Sequence, residues 1–380
     1  MKCLPASKLP QANGVALHDW HAEILAIRAF NRFILDECRR LVEDSSAESE
    51  FLRRRTQDEL PITSDECWHR QPFAWREDLT LHMYCSEAPC GDASMELIMS
   101  SQEDATPWDT PAPLAPSPPP PPQQEQLEQP PPSSTPTLLG RGYFSHLGIV
   151  RRKPSRGDAP PSHSKSCSDK LALKQCTSLL NSLTSLFVSP RGAYLASIIL
   201  PESQFSAAGC ARCFSAQAGP GEGEGGGRMA PVGGRVWDGT GYAFREVVVQ
   251  TTGREFEFSR RGVGMIEGGG EVKVVASNLA VAWTAGGEVE EGLIGGVLQG
   301  RKGVDVKGAS LTSRRRMWAA AVVVAGMLGD EGIIEELGAV SYDEVKEGSL
   351  LAGRRRVKEE ARNEALKGWL RNTGDGGFSL

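Results

Sequence analysis

The chain lacks a long apolar run. Its longest, residues 318–328 (WAAAVVVAGML), has eleven residues, whereas a helix that spans a bilayer needs about 20. The first residues, MKCLPASKLPQ, place no apolar stretch behind the first lysine, so they do not indicate a secretory signal. We therefore expect no membrane partner and a location in the nucleus or the cytoplasm.

The sequence also lacks an even, regularly spaced set of cysteines and an excess of positive charge. Nine irregularly spaced cysteines indicate reduced thiols, some of them available to bind metal. The net charge of −6 counts against a nucleic-acid partner. That total conceals three basic segments, 141–156, 301–316 and 354–371, with net charges of +5, +5 and +4. Such segments are either solvated faces or contacts for phosphate.

Proline and glycine are unevenly distributed. Residues 107–136 hold thirteen of the twenty-five prolines, and we expect a disordered, extended insertion there. A ligand for the aromatic groove of a partner is the alternative interpretation of that insertion. Residues 219–308 hold twenty-four of the forty-two glycines and open with a flexible loop at 219–234.

Periodicity predicts alternating helices and strands, which is typical of an α/β fold. The predicted helices are 22–41, 92–99, 170–187 and a charged segment at 342–372. The predicted strands are 79–85, 146–151, 193–200, 244–251, 255–259 and 272–276.

Three short segments carry residues suited to metal chemistry, and each precedes a predicted helix. They are His21-Ala22-Glu23, Pro89-Cys90-Gly91-Asp92 and Ser166-Cys167-Ser168-Asp169-Lys170. A helix N-terminus stabilises the thiolate form of cysteine, which is the form that binds metal. One imidazole and two thiolates leave the fourth position of zinc open for water, as a catalytic site requires.

Each of these segments is weak evidence when taken alone. An isolated His-x-Glu is usually a surface feature, and an isolated buried cysteine usually acts as a small apolar residue. Zinc-dependent cytidine deaminases place their second cysteine three residues after the first, where this chain has Ala93. The Cys210–Cys213 pair has no partner pair nearby and is interpreted as two ordinary thiols.

With these residues in view, the sequence resembles the RNA-editing adenosine deaminases, which include editors of double-stranded RNA and eukaryotic tRNA-specific enzymes. The resemblance is closest to the tRNA-specific enzymes. It rests on LHDWHAEILAIRAF (17–30), LHMYCSEAPCGDAS (81–94), FSHLGIVRRKPSRGD (144–158), SCSDKLAL (166–173) and SIILPESQFS (197–206). The resemblance implies a cytidine-deaminase-like three-layer sandwich with a mixed sheet and added C-terminal helices. One domain would then be split into residues 1–106 and 137–380 by the proline-rich insertion.

The family implies deamination of adenosine to inosine in tRNA, next to the anticodon. We expect tRNA and not DNA as the partner, and we favour a monomer. His21, Cys90 and Cys167 would bind zinc, and Glu23 would transfer protons. Substrate contacts would come from Lys2, Gly157 and Asp158. The double-stranded-RNA editors carry a glutamate where this chain has Asp158, so a plain turn is the alternative interpretation of residues 157–158.

The resemblance further implies a buried inositol hexakisphosphate, whose charge would neutralise lysines and arginines that face inward. The matching positions are Arg28, Lys170, Arg314, Tyr342, Lys346, Arg356 and Trp369. Asp19 and Lys153 match a relay between that pocket and the metal. Ile27 and Leu173 stand where the double-stranded-RNA editors have arginine. This difference predicts weaker binding of inositol hexakisphosphate.

Relative to the family, the chain begins inside a motif at Lys2-Cys3, so we expect a truncated N-terminus that lacks a helix and a first strand. A catalytically impaired RNA-binding relative of the same fold therefore stays open as an alternative. A cytidine deaminase would need a closely spaced cysteine pair, which the chain does not place near His21-Ala22-Glu23 in sequence.

Overall fold

The computed structural model describes residues 2–60, 70–99, 138–139, 146–153, 160–217, 226–263, 277–302 and 305–380. The proline-rich insertion, Gly157, Asp158 and the predicted strand 272–276 lie outside these residues. The glycine-rich loop is described only from residue 226 onward.

Helices and strands interleave along the described chain. The helices are α1 (Ala22–Glu43), α2 (Met95–Met99), α3 (Cys167–Thr177), α4 (Ala207–Phe214), α5 (Arg260–Val263), α6 (Arg314–Leu328), α7 (Glu331–Leu337), α8 (Tyr342–Glu347) and α9 (Ala352–Glu364). The strands are β1 (Leu52–Arg54), β2 (Phe73–Trp75), β3 (Leu81–Tyr84), β4 (Leu138–Leu139), β5 (Arg151–Arg152), β6 (Val188–Ser189), β7 (Leu195–Pro201), β8 (Val236–Trp237), β9 (Tyr242–Ala243), β10 (Val248–Thr252), β11 (Leu279–Trp283), β12 (Glu290–Ile294) and β13 (Val297–Leu298).

Two three-stranded sheets form the centre of the fold. Strands β10, β7 and β3 pair in parallel in that order, while β2 pairs antiparallel with β1 and parallel with β6. A third sheet, β11–β12–β13, is antiparallel. The α/β class and the mixed sheet predicted from the sequence are confirmed.

Helices pack on these sheets around two large cores. One core joins β7 to α3, α4 and α9, and the other joins β1, β2 and the second half of α1 to α6 and α7. This arrangement agrees with a three-layer deaminase-like fold that carries additional C-terminal helices. No helix among the described residues is both long and apolar enough to cross a membrane.

Helix α1 forms where its apolar spacing predicts it. Ile27, Ile34, Cys38 and Leu41 lie on its buried face, as expected for apolar residues three or four positions apart. The buried face holds α1 in the core, and its N-terminal end carries His21.

The predicted helix 170–187 is too long. Helix α3 begins earlier, at Cys167, and ends at Thr177, where Ser178 has a φ of 55°. Beyond it the Asn181 side chain accepts hydrogen bonds from the backbone of Leu183 and Thr184. Side chains that bond to nearby backbone groups in this way compete with helix formation.

Two predicted strands are wrong and the C-terminal helix is interrupted. Within 146–151 only Arg151 is in a strand, because Gly148 turns with a φ of 74° and its N–H bonds to Asp92. Residues 255–259 form a turn that leads into α5. Gly348 ends α8, so the segment 342–372 contains two helices, α8 and α9, with a short turn between them.

Candidate active site

His21 stands at the N-terminus of α1 and is the residue that caps it. The segment before it runs beside the N-terminal residues, where Trp20 donates from its backbone N–H to Lys2 at 3.0 Å. Asp19 accepts a hydrogen bond from the His21 backbone N–H at 3.1 Å. These contacts fix the entry of the chain into the helix and so direct the imidazole.

Cys90 is held by a turn that only glycine can make. The next residue, Gly91, has a φ of 108°, and a Cβ atom there would lie 2.3 Å from the Ser166 hydroxyl oxygen. Glycine avoids both the backbone strain and the overlap. The Cys90 loop can therefore lie directly against the segment that carries Cys167.

Cys167 is the first residue of α3. Ser166 caps the helix by accepting from the Asp169 backbone N–H at 3.1 Å. The Asp169 carboxylate is completely buried and accepts from the Ser166 hydroxyl, the Arg151 backbone and the Arg228 guanidinium. This charge-assisted network anchors the end of the helix that bears the thiol.

The three side chains converge on one point. The Nδ1 atom of His21 lies 3.8 Å from Cys90 Sγ and 3.7 Å from Cys167 Sγ, and the three donor atoms lie within 4.8 Å of one another. Tetrahedral zinc with ordinary bond lengths would separate nitrogen and sulfur by about 3.6 Å. Both cysteines are buried, and the donor set fits zinc.

The two thiols differ in their electrostatic surroundings. A hydrogen bond from the Cys167 thiol, helped by the nearby Lys153 ammonium, holds the pKa of Cys90 well below its ordinary value. The Cys167 backbone N–H also points to Cys90 Sγ at 3.4 Å. The site therefore already favours a thiolate, the form that a metal needs.

Glu23 follows two residues after His21, in the first turn of α1. Burial, together with the neighbouring Cys90, raises the pKa of its carboxyl group above the ordinary value. Lys2 lies near this carboxylate, which opposes the lowering of the Lys2 pKa by burial. A carboxyl group with a raised pKa can both accept and return a proton near neutral pH.

Asp19 and Lys153 connect this centre to a second site. The Lys153 ammonium lies 2.8 Å from Asp19 Oδ2 and 3.2 Å from Cys167 Sγ. Lys170 bonds to the same Asp19 oxygen. Although burial opposes ionisation, the two ammonium groups hold the pKa of Asp19 far below its ordinary value.

On the far side of Asp19 lies a cavity of about 890 Å³, called here the basic cavity. Its lining contains ten lysines and arginines against five aspartates and glutamates. Four of the predicted phosphate contacts, Arg28, Lys170, Arg314 and Lys346, line it together with Trp369. Such an excess of cations inside a folded chain suits a polyanion.

Two further residues that were predicted to bind the inositol phosphate, Tyr342 and Arg356, do not line the cavity. Tyr342 lies behind the lining, with the Arg314 guanidinium 5.9 Å and the Lys346 ammonium 5.3 Å from its ring centre. Arg356 does not line the cavity, because its guanidinium is exposed and pairs with Glu360 on the outer side of α9.

Six basic residues that line the cavity were not predicted. They are Lys165, Arg354, Arg355, Lys358, Arg362 and Arg371. Arg354, Lys358 and Arg362 recur every four residues, which places them on one face of α9, and that spacing could have identified them. Burial lowers the pKa of Lys165 to about 7 and the pKa of Lys358 well below its ordinary value.

Ile27 and Leu173 pack in the hydrophobic core that joins β7 to α3 and α9. Their side chains therefore contribute to packing rather than to the lining of the cavity. Gly157 and Asp158, the predicted base-flipping loop, lie outside the described residues.

Sequence comparison agrees with this geometry. A profile of the adenosine-deaminase (editase) domain matches residues 1–221. The chain belongs to this adenosine-deaminase domain family. The match covers all three metal-binding segments of the deaminase domain, although the basic cavity extends beyond it into α6, α8 and α9.

Curated relatives of the chain are adenosine deaminases whose name states tRNA as the substrate. The tRNA-specific adenosine deaminase 1 of Schizosaccharomyces pombe is 36% identical over 261 residues, 68% of this chain and 56% of the relative. Its namesake in Saccharomyces cerevisiae is 34% identical over 203 residues, 53% of this chain and 44% of the relative. The human protein is 34% identical over 94 residues. The chain thus spans about half the length of the two fungal relatives.

Proposed function

We propose that the chain catalyses zinc-dependent, hydrolytic deamination of adenosine to inosine in tRNA, at the adenosine next to the anticodon. The observation that carries the proposal is the convergence of His21, Cys90 and Cys167 with Glu23 two residues along the same helix. The similarity to tRNA-specific adenosine deaminases supports tRNA as the substrate. We further propose a monomer that acts in the nucleus or the cytoplasm and not on DNA.

In this proposal His21, Cys90 and Cys167 hold the metal. Bound zinc would supply a water molecule acidified toward neutral pH and a Lewis acid beside the adenine. Glu23 would accept one proton from the attacking water and pass it to the adenine ring nitrogen. It would then transfer the second proton, from the hydroxyl group left on C6, to the amino group that departs as ammonia. Its raised pKa suits both roles.

The adenine has to leave its stack to reach the centre. We propose that Lys2, which lies near Glu23, contacts a phosphate of the extruded nucleotide. We propose that Gly157 and Asp158 belong to a base-flipping loop that fills the space left by the extruded adenine or holds the strand. Asp19 and Lys153 position Cys167 through the ammonium that lies between the carboxylate and the thiol.

The basic cavity is proposed to bind inositol hexakisphosphate. Arg28, Lys170, Arg314 and Lys346 would contact its phosphates, and Trp369 would close one side. Tyr342 would support the Arg314 and Lys346 side chains from behind. Arg354, Lys358 and Arg362 present further cations to the same space, which compensates for the apolar Ile27 and Leu173.

The function is tested by incubating the wild-type chain with total tRNA and mapping inosine. Inosine next to an anticodon is expected from the wild type and from Glu43→Ala, a matched control at the exposed end of α1. Glu23→Ala should form no inosine while it keeps its tRNA affinity. A wild type that binds tRNA without forming inosine would instead be a catalytically impaired relative.

A further inference from the structure

The loops that follow the three parallel strands meet at one edge of the sheet. Strand β3 leads into the loop that carries Cys90, β7 leads into residues 202–206, and β10 leads into residues 253–259. Because ligands of parallel sheets bind outside the carboxyl ends of the strands, the third loop belongs to the same face of the molecule as the metal site.

The third loop carries two exposed aromatic rings, Phe256 and Phe258. Their exposed fractions are 48% and 71%, and the ring centres lie 5.6 Å apart in an edge-to-face contact. Aromatic residues make up only 7% of the chain. Exposing two in one short loop costs hydrophobic stabilisation, which a function at the surface would account for.

The loop is fixed to the segment that holds Cys90. The Arg261 guanidinium donates to Glu87 at 3.1 Å, to the Ser86 backbone at 2.6 Å and to Glu255 at 3.0 Å. The Ser203 hydroxyl donates to the same Glu255 carboxylate at 2.7 Å. All three loops at this edge are therefore tied together, and the phenylalanines are held in a fixed relation to the metal-binding loop.

The same loop carries an arginine two residues before the first ring. Arg254 is exposed and forms no ion pair within the part of the chain that the structure describes, while its carbonyl accepts from the Tyr84 hydroxyl at 3.2 Å. Glu255 is neutralised by Arg261. Exposed aromatic faces next to a free arginine are what proteins use to stack unpaired bases and hold the adjoining phosphate.

We propose that Phe256 and Phe258 form a stacking platform for an unpaired base of the substrate RNA, next in sequence to the adenosine that enters the metal site. This inference rests on the proposed function, since it assumes an RNA substrate with an unpaired loop. Arg254 then contacts the phosphate of the stacked nucleotide. The platform would hold the strand while the target base is extruded.

The test uses an anticodon stem–loop RNA with a fluorescent adenine analogue next to the target adenosine. The variant is Phe256→Leu with Phe258→Leu, which keeps the loop apolar but removes both rings. Trp283→Leu is the matched control, because Trp283 is 68% exposed on β11 of the separate antiparallel sheet. A second variant with tryptophan at both phenylalanine positions restores stacking.

The leucine variant should weaken RNA binding by about 5-fold to 100-fold and abolish the stacking-dependent quenching of the analogue. The tryptophan variant and Trp283→Leu should bind and quench as the wild type does, and zinc content should be unchanged in all. Equal affinity and quenching in the leucine variant and the wild type would overturn the platform. So would a change of oligomeric state in that variant without loss of RNA affinity.

The two proposals fail separately in this experiment. If the wild type forms inosine but the leucine variant binds RNA normally, the platform is wrong and the deaminase proposal stands. If the wild type forms no inosine in any tRNA but the leucine variant loses quenching, the platform stands and the deaminase proposal is wrong.

Discussion

At the scale of single residues, Asp19 joins the metal site to the basic cavity. It is 2% exposed, yet it is ionised because Lys153 and Lys170 both bond to its Oδ2 atom. The Ser164 hydroxyl donates to the same oxygen at 3.0 Å. Because three donors share this one buried carboxylate, a shift of Lys170 at the basic cavity would also affect Lys153 at the metal site.

Asp19→Ala should destabilise the fold by about 3–5 kcal/mol, because it leaves the buried Lys153 ammonium and the partly buried Lys170 ammonium without their counter-ion. Asp36→Ala is the control, since its pair with Arg32 on α1 is partly exposed and should cost only about 0.5 kcal/mol. Urea unfolding of both variants measures the difference. Equal losses in the two variants would show that Asp19 is not the counter-ion described.

The metal-binding residues could be predicted as a set, whereas only part of the cavity lining could be predicted. His21, Cys90 and Cys167 each stand in a short motif that precedes a helix, and the combination of the three motifs indicates a metal site. Lys165 shows no such pattern, because it reaches the cavity through a backbone bridge to Arg152 and the ring of Trp369. The position of Lys165 therefore depends on contacts between segments that are distant in the sequence.

At the scale of elements, the Cys90 turn depends on contact with the start of α3. Gly91 has a φ of 108° and lies against Ser166, while Gly234 has a φ of 68° with no atom within 4 Å of the position its Cβ would take. A side chain at Gly91 would meet both backbone strain and overlap with α3, whereas a side chain at Gly234 would meet backbone strain alone.

Gly91→Ala should lose zinc and unfold at a lower temperature, because the added Cβ forces the Cys90 loop away from α3. Gly234→Ala should keep its zinc and lose only about 1 kcal/mol, the cost of a left-handed backbone for alanine. Metal analysis and thermal unfolding of both variants measure the contrast. Full zinc occupancy in Gly91→Ala would contradict the close approach of the two segments.

The elements that the sequence predicts well are those with local causes. Helix α1 follows from its own apolar spacing, and β7 from its apolar run. The local bonds of the Asn181 side chain are only one cause of the early end of α3. The other is distant, since Asn31 on α1 accepts a hydrogen bond from the Asn181 backbone at 2.6 Å. No sequence pattern within 170–187 predicts a hydrogen bond to Asn31, which lies 150 residues away from Asn181.

At the scale of the whole molecule, positive charge is concentrated in one cavity although the chain as a whole is acidic. The chain carries a net charge of −6, yet the basic cavity collects cations from α1, α3, α6, α8 and α9. Three basic segments of the sequence predicted that local excess. The meeting of two of them, 301–316 and 354–371, in one cavity is a product of the tertiary fold.

Binding of inositol hexakisphosphate to the basic cavity should take up protons in mildly alkaline buffer. Burial and the nearby Arg354 and Arg362 lower the pKa of Lys358, and a polyanion would raise it again. Because the bound state then holds more protons than the free state, affinity should fall as the pH rises through this range. Titration calorimetry in two buffers of different ionisation enthalpy measures the uptake.

Lys358→Met should reduce that uptake, while Lys8→Met, at an exposed lysine outside the cavity, should leave it unchanged. Binding with no proton uptake, or the same uptake in Lys358→Met as in the wild type, would show that the polyanion does not meet this lysine.

The central claim is that the metal held by His21, Cys90 and Cys167 is required for inosine formation. Zinc content and inosine in tRNA should be measured together for the wild type, Cys167→Ser and Cys176→Ser, the last being a buried cysteine of the same helix outside the metal cluster. We predict about one zinc per chain and inosine formation for the wild type and Cys176→Ser, and neither for Cys167→Ser. Inosine formed by metal-free protein, or full zinc in Cys167→Ser, would contradict the account.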